Sequence, residues 1–132
     1  MAAIQQRFED RAEFLTIYIK EAHPEDEWQL GVNEDESVCY GQPTTLAGRV
    51  AIANDFVQRF DYPMPLVIDP IDNPAELAYA AWPERLYIVD ESGSVAYKGG
   101  VGPFGYDPEE LEAWLDERYA TETMQADDFT RR

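Results

Sequence analysis

Residues 14–28 read FLTIYIKEAHPEDEW. The run from Phe14 to Ala22 is β-branched and aromatic, the composition of a buried strand, and a polar stretch starting at Pro24 follows it. It delivers His23, the only histidine, to the strand's carboxyl end, where open α/β sheets bind their ligands. Side chains two apart on a strand share a face, so Glu21 and His23 fall together. A carboxylate there orients the imidazole and raises its pKa, which makes a proton relay near neutrality. An exposed loop histidine without a role fits the same spacing.

Outward from this strand the order of elements follows. On its amino side, Ile4, Phe8 and Ala12 recur at four-residue spacing and predict an amphipathic helix end. On its carboxyl side, Pro24 to Pro43 is a long acidic connection with no clear period. Thr44 or Thr45 then caps a helix to about Phe60, with Leu46, Val50, Ala53, Val57 and Phe60 on one face. Residues 65–69 (PLVID) predict a short central strand. Asn73, Pro74 and Glu76 have the pattern of a capped helix start, and that helix ends near Ala81. Arg85–Asp90 and Val95–Lys98 flank the turn residues 91–94 and predict a hairpin. Asp107 caps a last helix whose stripe is Leu111, Trp114, Leu115 and Tyr119. Residues 1–120 read as one α/β domain, and 121–132 as a polar tail that frays.

Composition sets the outer limits. A chain of 132 residues, 45% hydrophobic and 13% aromatic, is long enough for one ordinary core and too short for two domains. No apolar run approaches the ~20 residues that cross a bilayer, and the first residues lack the pattern of a signal peptide. Twenty-seven acidic against ten basic residues give a net charge of −17. That field repels nucleic acid and anionic membranes, since phosphate binding depends on Lys and Arg displacing counterions. With Cys39 as the only cysteine, one chain forms no internal disulfide and no thiolate zinc site, and a reducing, cytoplasmic setting is expected. Acidic pairs such as Asp26-Glu27 and Asp127-Asp128 lack the spacing of a calcium loop, so no metal site is expected.

Several of these pieces, in order, resemble the iodothyronine deiodinases, thioredoxin-like selenocysteine or cysteine enzymes that reductively remove iodine from thyroid hormones. Glu21-Ala22-His23, followed by Pro24 and Trp28, matches the family's pattern. Lys20 stands where the family has a first acidic residue, and Glu27 where it has glycine. Leu46–Phe56, Pro65–Asp69, Pro83–Val89 and Tyr97–Tyr106 also follow it. The resemblance implies a mixed sheet with flanking helices, its first strand and most of its first helix missing, and a nucleophile motif expected upstream of Met1. Trp82-Pro83 sits where the fold places a cis proline facing the nucleophile; a trans proline opening a strand is the alternative. Pro83 is then expected to begin a strand antiparallel to Val95–Lys98 and close to His23.

By resemblance, His23, Glu21 and Tyr18 serve proton delivery, and Trp28, Trp82 and Pro83 line the substrate site. The substrate is then a small iodinated aromatic, and the only co-reactant an external thiol. Gln42-Pro43 and Val101 stand where some members carry the histidine and arginine that clamp the hormone. A chain without the nucleophile is expected to be inactive, and its unpaired sheet edge offers a route to a homodimer. Two rivals are open: a thioredoxin-fold binding or scaffold protein, and a thiol redox protein using Cys39. Acidic neighbours Glu34, Asp35 and Glu36 would raise the pKa of that thiol and weaken it as a nucleophile.

Overall fold

The computed structural model describes residues 1–22 and 40–130, with residues 121–130 as backbone only. The order is α1 (Ala2–Phe8), β1 (Thr16–Tyr18), α2 (Leu46–Phe60), β2 (Leu66–Ile68), α3 (Pro74–Tyr79), β3 (Tyr87–Val89), β4 (Val95–Lys98) and α4 (Pro108–Thr130). The architecture is α/β, and two compact units divide it at Pro83/Glu84.

In the first unit β1 and β2 pair in parallel, with Thr16 opposite Leu66, Ile17 opposite Val67 and Tyr18 opposite Ile68. Parallel neighbours need a crossover, and α2 lies within it and packs against β2. Thr45 caps α2 by accepting from the Gly48 N–H at 3.1 Å. The helix ends where Asp61 turns left-handed, its N–H bonded to the Val57 carbonyl. Ile4, Phe8, Ala53 and Met64 are buried here. Ile17 and Val67 alternate to the other face of the strand pair, where both are exposed.

Two details differ from the expected pattern. The buried positions of α2 are Arg49 and Ala53, while Leu46 and Phe60 at the ends of the apolar stripe are exposed. Hydropathy spacing misses a guanidinium that main-chain carbonyls draw inward. The cap of α3 is likewise not Asn73, which is left-handed and makes no side-chain cap bond. Asp69, 2% exposed, accepts instead from Ala75 N–H at 3.0 Å and Glu76 N–H at 2.9 Å. A carboxylate at the end of β2 thus fixes where α3 begins.

The second unit holds the antiparallel pair β3–β4, with Tyr87 opposite Lys98, Ile88 opposite Tyr97 and an irregularity at Ile88/Val89. Its turn closes on Asp90, whose Oδ1 accepts from the N–H groups of Ser92 and Ser94. Gly93 supplies the positive φ, 84°. The strand begins at Tyr87 rather than at Pro83. Single bonds from Gly99 N–H to Leu86 O and from Gly102 N–H to Glu84 O carry the pairing back to Glu84. Pro83, with no N–H to offer, cannot join such a ladder as a donor. Asp107 caps α4 by accepting from Glu109 and Glu110, and Leu111 and Leu115 are buried on its face. The helix continues to Thr130, through the segment read as a fraying tail. The Trp82–Pro83 and Gly102–Pro103 bonds are both cis.

Candidate functional site

Tyr18 is the last residue of β1, and its position is set by the strand pairing. Its carbonyl accepts from the Asp69 N–H at 2.9 Å, which extends the ladder one step past Ile68. The phenol then donates to Oε1 of Glu21, just beyond the strand end. These two residues, expected at the site from the sequence, are brought into direct contact. Burial, the hydrogen bond to Glu21 and the negative charge of Glu21 all push the phenol far above its ordinary pKa, against the pull of Arg49. Tyr18 therefore stays protonated wherever the protein is folded near neutrality.

Glu21 is held at its main chain as well. The side-chain amide of Gln42 brackets its peptide groups: Glu21 N–H donates to Gln42 Oε1 at 3.2 Å, and Gln42 Nε2 donates to Glu21 O at 3.1 Å. Gln42 comes from the distant end of the acidic connection, and it joins the end of β1 to the start of α2. A terminal amide has both a donor and an acceptor, which is what a peptide unit requires of a single partner. No local pattern in the sequence announces such a pairing.

Lys20, next to Glu21 in the chain, places its Nζ 5.2 Å from the centre of the Trp82 ring. Trp82 is 39% exposed, so a ring that carries a cation is partly open to solvent in the first unit. Pro83 follows it through the cis bond. Below the site, Arg49 is buried and donates to the carbonyls of Asp69 and Pro70. Its signal in the sequence is a lone arginine three residues after Leu46 and four before Ala53, inside an apolar stripe. His23, Trp28 and Cys39 lie outside the described residues.

Comparison with known proteins matches this framework. The profile of the family described as iodothyronine deiodinase matches residues 2–120. The thyroxine 5-deiodinase of Gallus gallus is 41% identical over 111 residues, which cover 83% of this chain and 41% of the relative. The human thyroxine 5-deiodinase is 40% identical over 122 residues, 90% of this chain and 38% of the relative. The type I iodothyronine deiodinase of Xenopus laevis is 40% identical over 111 residues, 84% of this chain and 42% of the relative. The chain thus spans about two fifths of the length of these relatives.

Proposed function

The chain belongs to the iodothyronine deiodinase family, and from that premise we propose that it supplies the proton-donating side of a thiol-dependent reductive deiodination, with Tyr18 and Glu21 as the donor pair. The observation that carries this reading is the Tyr18 hydroxyl donating to Glu21 at the carboxyl end of β1. The frame is read as thioredoxin-like. Its support is the β1–α2–β2 parallel crossover followed in sequence by a hairpin and a helix.

The chemistry makes particular demands on such a pair. A selenol or thiol, ionised, attacks the iodine of an aryl iodide. The carbon–iodine bond breaks, its electron pair stays on the ring carbon, and a selenium–iodine or sulfur–iodine bond forms. The ring carbon must then take a proton. A phenol with a raised pKa is a weak acid, yet an aryl carbanion is far more basic than any phenolate, so transfer from Tyr18 runs downhill. Glu21, bonded to the phenol, passes a solvent proton back to it. Two molecules of an external thiol reduce the enzyme–iodine bond, release iodide and leave as a disulfide. The described residues include no cysteine, so the attacking group is not assigned among them. Trp82 offers the iodinated ring a stacking face.

The test is iodide release from an iodothyronine with a dithiol as reductant, in a chain that carries the expected upstream selenocysteine or cysteine motif. Tyr18→Phe removes the donated proton and keeps the ring. The rate should fall by about a hundredfold, the lower end for loss of a general acid, with KM little changed. An unchanged kcat in Tyr18→Phe would overturn the assignment.

A further inference from the structure

We propose that Arg49 is a positioning residue for the Tyr18–Glu21 pair: from inside α2 it fixes the carboxyl end of β2, and through that end the main chain of Tyr18. The inference rests on the reading of Tyr18 and Glu21 as the donor pair. Arg49 is 2% exposed, and one nitrogen, Nη1, donates to Asp69 O and to Pro70 O, each at 2.8 Å. Two consecutive carbonyls are thereby held at one point, directly after the strand. The N–H of the same Asp69 bonds to the carbonyl of Tyr18 at 2.9 Å. A shift of Asp69 is therefore a shift of Tyr18, and the phenol moves with it.

The energetics argue against a residue kept for stability alone. Removing a guanidinium from water is costly, and the cost is recovered only when its hydrogen bonds are well satisfied. The carboxylate of Asp69 is already occupied at α3 by Ala75 and Glu76, so Arg49 meets that residue at its main chain. Its Nε is buried with no hydrogen-bond partner among the described residues. An apolar side chain of similar length would avoid that penalty. What it would lose is the hold on the strand end and a positive charge beside the phenol. That charge opposes the effect of Glu21 on Tyr18, so the cation acts on the pair electrically as well as through the main chain.

The experiment reads Tyr18 directly, without substrate, in the 132-residue chain labelled with 13C at tyrosine Cζ. Eight tyrosines give eight signals, and Tyr18→Phe identifies its own by deletion. In Arg49→Met the Tyr18 signal should move, and the Asp69 amide should exchange with solvent about tenfold faster or more. Arg49→Lys, a point charge that reaches one carbonyl at a time, should fall between. Ala53→Gly on the same helix weakens packing without touching Asp69, and should leave the Tyr18 signal in place. A folded Arg49→Met chain with both readouts at their original values overturns the proposal. If Arg49→Met does not fold, Arg49→Lys decides: a displaced Tyr18 signal supports it and an unmoved one overturns it. Iodide release enters none of these readouts, so failure of the donor-pair reading shows separately, as an undiminished rate in Tyr18→Phe.

Discussion

Asp69 joins a strand to a helix through three separate bonds: its N–H to Tyr18, and its two carboxylate oxygens to the first N–H groups of α3. Bonds to an ionised acceptor are the stronger class, and here they satisfy donors that a helix start leaves free. Asp69→Asn keeps one oxygen acceptor and should cost about 1 kcal/mol of stability. Asp69→Ala removes both and should cost about 2–3 kcal/mol. Urea unfolding followed by circular dichroism measures both, and equal midpoints for Asn and Ala would show the second bond to be idle. The sequence placed a helix start here and credited Asn73 with it, because an Asn before a Pro is the commoner local device. The cap comes from four residues further back, across a turn whose first two carbonyls, Asp69 and Pro70, accept from Arg49. Glu21 was placed at the strand end by its spacing, Tyr18 entered as a candidate only through the family resemblance, and their contact is what the structure adds. Gln42 and Arg49 were not legible, since each acts on main-chain groups that carry no side-chain signature.

At the scale of elements, hydrophobic periodicity together with cap and turn residues placed the helices and strands among the described residues and drew most of them too long. Phe14–Ala22 became Thr16–Tyr18, and Arg85–Asp90 became Tyr87–Val89. Apolar content extends as far as a segment is buried, whereas a ladder extends only as far as its neighbour pairs. Within the second unit, Tyr97 of β4 donates to Glu110 of α4 at 2.8 Å and its ring lies 6.5 Å from that of Trp114. Burial, then the bond to Glu110 and the charge of that carboxylate, push the phenol up to about 12. The folded pKa is raised, so the stability that depends on the neutral phenol, through its burial and its bond, is complete below about pH 10, the unfolded value, and fades as pH climbs toward 12. Stability should therefore fall over that window, and Tyr97→Phe should flatten the fall. Urea midpoints at pH 9, 10 and 11 (about the lower half of the window) test it; parallel curves for the two chains would remove Tyr97 from the account. The loop after β4 is tight for a different reason. A Cβ on Gly100 would stand 2.8 Å from Gly105 O, a backbone atom that cannot swing aside. Gly100→Ala should cost about 1–3 kcal/mol, by the same unfolding measurement, and no loss would mean the loop opens freely.

For the whole molecule the governing quantity is charge. Acidic residues outnumber basic ones in both units, and the chain carries −17 in all. Unfolding lets like charges move apart, so self-repulsion works against each folded unit. Salt shrinks the screening length from ~30 Å at about 0.01 M to ~3 Å at about 1 M, and that relieves the repulsion. It also weakens attractive pairs, and the two effects must be weighed. The ion pairs Arg59–Asp55 and Arg118–Glu91 are both surface pairs, at 3.3 and 3.1 Å, with side chains 39% or more exposed. Exposed pairs of that kind are largely screened by solvent already and contribute little, so their loss is small. Arg49 is held in the interior by carbonyls and is screened little. With a net charge of −17, repulsion among the excess carboxylates is expected to outweigh what screening takes from these pairs. Sodium chloride should then raise stability by on the order of 1–2 kcal/mol across this range, several degrees in Tm for a chain of this size. Most of the gain should come below about 0.3 M, where the screening length falls fastest, rather than accumulate linearly as a change in apolar hydration would. A thermal melt series that is flat or falling with salt would mean that attractive pairing outweighs the net charge.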